Sequence, residues 1–182
     1  MYYVDDVLDV KMMERFEGAK EKADKKETRH LVWGFTREKM CFLYVKEYIV
    51  PKEFEYKKRR TRREKWCQLP GAKMEKGKTP EEILKNVFMK EYNMPVDVGN
   101  LAFQGEATDV IHEQNYIVDV YWVKPQDHID KETKKKFYQK FHRVNVADFN
   151  VIDKIRYTPI MKDFYTKTFR TMIIAKNEND GY

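Results

Sequence analysis

The order of hydrophobic periodicities predicts a single α/β or α+β sandwich: helix, strands, helix, strands, helix. Three observations lead there. Apolar residues recur at spacings of three and four near both ends and in the middle of the chain. Runs rich in Val, Ile, Phe and Tyr lie between those segments. The length, 182 residues, is that of one domain, and 42% hydrophobic with 14% aromatic residues suffices for a core, which excludes a disordered chain.

Val4, Val7, Leu8, Met12, Phe16, Ala19 and Ala23 predict a helix over residues 4 to 26. Arg29–Thr36 and Lys39–Val50 read as strands, followed by a loop from Pro51. Lys65–Leu69 resumes a short strand, and Pro70-Gly71 marks a turn. Thr79-Pro80-Glu81-Glu82 is a helix start: Thr79 caps, Pro80 suits the first helical position and Glu82 completes a capping box. That helix carries Ile83, Leu84, Val87 and Phe88 and ends by Asn93, before Pro95. Strands are expected near Gly99–Thr108 and Asn115–Val123, a short helix at Lys131–Phe137 and a strand at His142–Val146. Pro159 opens a last helix to about Arg170. The organisation expected is an N-terminal helical extension over 1–27, one domain over 28–175 and a disordered tail over 176–182.

Several function classes drop out. The longest apolar stretch, Met40 to Val45, is far short of the roughly 18 residues that span a bilayer. Asp5, Asp6 and Asp9 stand where a signal peptide would be apolar, so none is expected. Cys41 and Cys67 cannot build a disulfide framework and suit a reducing compartment, cytosol or nucleus. His30, His112, His128 and His142 show no metal spacing with them, and no Gly-rich phosphate loop is present. The net charge of +6 is clustered: Lys57-Lys58-Arg59-Arg60-Thr61-Arg62-Arg63-Glu64-Lys65 holds seven basic residues in nine. Such a run is either a solvated face or a site for an anionic partner, nucleic acid or a nuclear-import receptor.

Leu69-Pro70-Gly71-Ala72-Lys73-Met74-Glu75-Lys76-Gly77-Lys78 resembles the opening of a Nudix box, L-P-G-G-x-x-E-x-G-E. The resemblance implies a Nudix-like α/β/α sandwich with a mixed sheet. In such a box, glycines turn the chain and helical carboxylates gather Mg²⁺ to activate water on a diphosphate. Here Ala72 replaces the second glycine and Lys78 an acid. The helical R-E-x-x-E-E-x-G becomes Asn86-Val87-Phe88-Met89-Lys90-Glu91-Tyr92-Asn93, which keeps only Glu91 of three acids. One carboxylate beside Lys90 does not make a Mg²⁺ site, so no catalytic residue, metal or cofactor is expected. Glu75, Glu81, Glu82, Glu106 and Asp109 are the acids that could rebuild one.

Within the Nudix-like proteins, the chain resembles the small subunit of the pre-mRNA 3′-end cleavage factor I, which binds RNA carrying a U-G-U-A element. Three segments carry the likeness: Arg15-Phe16 leading to Arg29 and Gly34; Trp66-Cys67-Gln68-Leu69-Pro70-Gly71; and Tyr157-Thr158-Pro159-Ile160. They cover about residues 10–95 and 145–172. The resemblance implies RNA contacts at Arg15, Trp66, Leu69 and Tyr157. Arg59, Arg60, Arg62 and Arg63 are the candidate phosphate ligands from the basic run. It further implies mRNA 3′-end processing and polyadenylation in the nucleus, a homodimer and a larger RNA-binding subunit as partners. The chain departs from the pattern at Cys67, where the family has a second aromatic, and at Thr158, where it has glycine. The family's base-reading glutamate falls near Val7, with Asp5, Asp6 and Asp9 as stand-ins.

Trp66 is also readable as a core residue of a short strand, while Trp33 and Trp122, in more apolar runs, are expected in the core or an interface. Tyr157, flanked by Arg156 and Thr158, is expected to be exposed. Two other functions fit the same residues: a divergent Nudix pyrophosphatase acting on nucleoside diphosphate derivatives or capped RNA, and a structural subunit of another RNA–protein complex.

Overall fold

A computed structural model describes residues 10–36, 40–50, 62–145 and 157–169. The expected residues 4–9 of the first helix, the basic positions Lys57 to Arg60, Val146 and the tail over 176–182 lie outside them. So do Asp5, Asp6, Val7 and Asp9.

The elements run α1 (Val10–Asp24), β1 (Arg29–Thr36), β2 (Met40–Val50), β3 (Arg62–Gln68) and β4 (Gly71–Lys73). Then come α2 (Pro80–Tyr92), β5 (Val96–Asp109), β6 (Gln114–Pro125), α3 (Lys131–Gln139), β7 (His142–Asn145) and α4 (Pro159–Phe164). One sheet has the order β4-β1-β6-β5; β1 runs parallel to β6, and β4 and β5 pair antiparallel to their neighbours. The mixed sheet is therefore as expected. A second sheet has the order β3-β2-β7, all antiparallel.

Alternation along β1 distributes its side chains to two cores. Val32 joins Ile83, Leu84, Val87 and Phe88 of α2, together with Phe137 and Phe141 from α3 and the turn after it. Leu31, Trp33 and Phe35 join Val118, Val120, Ile160, Met161 and Phe164, so α4 covers the opposite face. Helices on both faces of the sheet make the α/β/α sandwich. Trp33 is buried edge-on to Phe164 at 5.6 Å, as its apolar surroundings predict. Trp122 is half-buried beside Phe35.

α1 docks on the turn between β5 and β6. Ala19 and Ala23 are buried, and Lys20 Nζ donates to Thr108 Oγ1 and Asn115 Oδ1, each at 3.1 Å. Asn115 Nδ2 donates to Asp24 Oδ1 at 2.7 Å. The last helix departs from expectation in register: after Phe164 the chain widens into a π-helical turn, Tyr165–Phe169. There Thr168 lies against Gly105 of β5, a position with no Cβ to oppose it.

Candidate functional site

The box begins where β3 ends. The chain bends at Pro70, within the expected Pro70-Gly71 turn, and Gly71-Ala72-Lys73, for which the sequence predicts no strand, is β4 paired to β1. Gly71 is needed there for close approach: a Cβ would press on the Val32 carbonyl oxygen and stand 2.8 Å from Trp33 Cα. The turn itself falls to Gly77, whose φ is 82°.

α2 starts as its sequence dictates. The Thr79 hydroxyl accepts from Glu82 N at 3.2 Å, and Glu82 Oε2 accepts from Thr79 N at 3.4 Å. It ends on Asn93 at φ 49°, the left-handed position that the resembled box fills with glycine.

Glu75, Glu81 and Glu82 each have a nearby partner. Glu75 Oε2 lies 2.8 Å from Lys78 Nζ, and that hydrogen bond raises the Lys78 pKa. Glu81 Oε1 lies 2.8 Å from Lys85 Nζ, with the same effect on Lys85. Glu82 serves the cap. Val87 is buried against the sheet, whereas Lys90 and Glu91 face solvent. Asp109 is buried and caps its own turn: Oδ1 accepts from Ile111 N and His112 N at 3.0 Å each, and Oδ2 lies 2.9 Å from His112 Nδ1. Among the described residues no three His, Cys, Asp or Glu side chains are grouped to hold a metal ion. As placed, these residues do not gather the carboxylates that the Mg²⁺ of a Nudix box takes.

The segments carrying the second likeness do meet. Cys67 of β3 forms a parallel bridge with Tyr157, and Thr158 N donates to Cys67 O at 3.1 Å. The Thr158 hydroxyl donates to Gln68 Oε1 at 2.9 Å and accepts from Met161 N at 3.3 Å, so it both joins the segments and caps α4. Residues about 90 apart in the chain are thus locked side by side.

Burial corrects one expectation. Tyr157 is 1% exposed and Leu69 0%; both belong to the core between the sheet and α4. The polar neighbour Thr158 does not pull Tyr157 to the surface, because Thr158 is itself buried with its hydroxyl hydrogen-bonded. Neither ring nor leucine offers a face to solvent. Arg15 lies on α1, and Arg62, Arg63 and Trp66 lie on β3, where Trp66 is paired in register with Lys46. Arg59 and Arg60 fall outside the described residues. Burial raises the Cys67 thiol to about 11, which leaves it inert as a nucleophile.

A polar cluster absent from the sequence reading sits on β1, β5 and β6. Asp119 is buried; its Oδ2 lies 2.5 Å from His30 Nε2 and its Oδ1 accepts from Gln104 Nε2 at 2.6 Å. Strand register makes this cluster, setting Val32 beside Asp119 and Gln104 opposite it. A single sequence carries no signal of that pairing.

No protein-family model matches the sequence, and neither does any curated protein. Among solved structures the chain is similar to a Nudix hydrolase from Nitrosomonas europaea, with a TM-score of 0.50 at 10% identity over 77% of this chain and 90% of that one. The solution structure of the E. coli ORF135 protein matches with a TM-score of 0.44 at 8% identity, over 79% of this chain and 92% of that one. At such identity the likeness concerns the fold. The chain has a Nudix-like α/β/α sandwich, as the box predicted.

Proposed function

We propose that this chain is a single-stranded RNA-binding protein whose Nudix-like domain does not hydrolyse nucleotides. Its role would be that of the small cleavage factor I subunit in mRNA 3′-end processing in the nucleus. The observation that carries this reading is the state of the box helix: Val87, packed in the core, and Lys90, exposed, stand where acids are required, which leaves Glu91 alone. The joined β3 and Tyr157-Thr158-Pro159-Ile160 segments support it, since they bring the segments of Trp66, Leu69 and Tyr157 together, three of the positions that the resemblance assigns to RNA.

Burial gives Leu69 and Tyr157 a supporting role. Leu69 and Tyr157 act from beneath, fixing the end of β3. Trp66 and Arg15 remain to touch the RNA, by stacking on a base and by reaching a base edge or phosphate. Arg59, Arg60, Arg62 and Arg63 supply charge along the backbone of the strand.

One tube tests the reading: a panel of single-stranded RNAs, with and without U-G-U-A, is mixed with Mg²⁺, a dinucleoside polyphosphate and capped RNA, then assayed for binding and products. RNA should be retained and no product formed. Trp66→Ala should cost about 1–3 kcal/mol of binding and leave the salt dependence unchanged. Neutralising the four arginines should flatten log affinity against log salt by about 0.7 for each phosphate they neutralise. Turnover abolished by Glu91→Gln would establish the pyrophosphatase instead, and Trp66→Ala binding like wild type would remove Trp66 from the site. The homodimer, and a larger RNA-binding subunit beside it, belong to the same proposal. Light scattering at tens of micromolar should give about twice 22.1 kDa, and a monomer would overturn the dimer.

A further inference from the structure

The second concentration of positive charge is on α3, far in sequence from the run at Lys57. Its apolar side is fixed: Phe137 and Phe141 are buried, with Phe88 6.1 Å from Phe137 and Tyr92 4.6 Å from Phe141. Its start is capped by Asp130, which accepts from Thr133 N at 2.8 Å. The exposed surface carries Lys131 and Lys135 on one flank and Lys136 and Lys140 on the other, with Glu132 and Gln139 between them. Lys136 lies 3.8 Å from Glu132; Lys131, Lys135 and Lys140 have no acidic partner among the described residues.

The charges on this helix are mixed in effect: Glu132 in the first turn and Lys136 in the last suit the dipole, whereas the lysine pairs repel. Lys131 sits at the positive end of the macrodipole. Lys131 with Lys135, and Lys136 with Lys140, are like charges four residues apart, a destabilising spacing. Exposed lysines without an acidic partner gain when an anion lies beside them.

We infer that the Lys131–Lys140 stripe of α3 binds the phosphate backbone of single-stranded RNA. This deepens the RNA-binding reading and rests on it. The stripe has no exposed aromatic for a base to stack on, so the contact is to phosphate and independent of sequence. It equally lacks the apolar or aromatic anchor that a protein partner uses at the centre of its interface. At 1.5 Å per residue the helix with its C-cap Lys140 extends roughly 14 Å, room for about two or three consecutive phosphates.

The test compares the full chain with two variants, Lys131, Lys135, Lys136 and Lys140 all changed to Gln, or all to Arg. Affinity for RNA oligomers of unrelated sequence is measured across a salt series, alongside thermal melting. The Gln variant should bind every oligomer about tenfold or more weakly and flatten the salt slope by about 0.7 for each phosphate left without its lysine. Its melting midpoint should stay close to that of the wild type, because the four side chains are exposed. The Arg variant should bind like wild type. A Gln variant with unchanged affinity and slope overturns the inference while the RNA-binding reading stands. Loss of binding in the Arg variant overturns it as well, since charge is kept there. Displacement of RNA by a poly-glutamate peptide of equal charge at lower concentration would assign the stripe to an acidic protein segment instead. Wild-type protein that binds no RNA at any salt removes the RNA-binding reading, and the inference with it.

Discussion

Replacing Tyr157 by alanine is expected to cost about 3–5 kcal/mol of folding stability, the range for removing a large aromatic from a core. The ring is 1% exposed within the cluster that joins Leu69, Trp33 and Phe164. Its backbone makes the bridge to Cys67, so the cavity would open where two distant segments are held together. A domain with about 5–15 kcal/mol of total stability would lose a third or more of it. Denaturant unfolding should show a lower midpoint at unchanged slope. Tyr157→Phe keeps the ring and should stay close to wild type. An alanine variant within about 1 kcal/mol of wild type would mean that Tyr157 is not a core residue. The result also governs how binding data are read: loss of RNA affinity in Tyr157→Ala reports a stacking contact only if the variant is folded at the assay temperature.

What was legible in the sequence was whatever is decided locally. Strand β1 lies at the expected Arg29–Thr36, because alternation and β-branched content act over a few residues. Helix α2 starts at Thr79-Pro80 through a cap formed within four residues. What was not legible depends on partners far along the chain. Three residues, Gly71-Ala72-Lys73, form a strand only because β1 lies beside them. Polar flanks suggested an exposed Tyr157, yet Thr158 is buried by its bond to Gln68, ninety residues away in the chain. The π-helical turn exists where Thr168 meets Gly105, a contact that no helical period announces. The candidate site divides along the same line. The loss of box acids could be read residue by residue, whereas the salt bridges that occupy Glu75 and Glu81 and the Asp119 cluster follow from the folded geometry.

Gly71→Ala is expected to destabilise the domain by about 3 kcal/mol, at the upper end of what overpacking costs. The added methyl meets backbone on two sides, the Val32 carbonyl oxygen and Trp33 Cα, and the Trp33 side chain at 2.8 Å. None of these can rotate away cheaply: Trp33 is 1% exposed and locked against Phe164, and Val32 is 0% exposed in the other core. Relief must come from separating β4 from β1, which breaks the pairing of Leu31, Val32 and Trp33 with Lys73, Ala72 and Gly71. Gly77→Ala provides the contrast. Nothing lies within 4 Å of a Cβ there, but its φ of 82° is left-handed, so the penalty should be about 1–2 kcal/mol and purely conformational. Gly77→Asn should recover part of that, since Asn tolerates this region, as Asn93 does at φ 49°. No residue with a Cβ should rescue position 71. Thermal or denaturant melts of the three variants distinguish the causes, and a Gly71→Ala protein as stable as wild type would mean that β4 does not lie against β1 in this register.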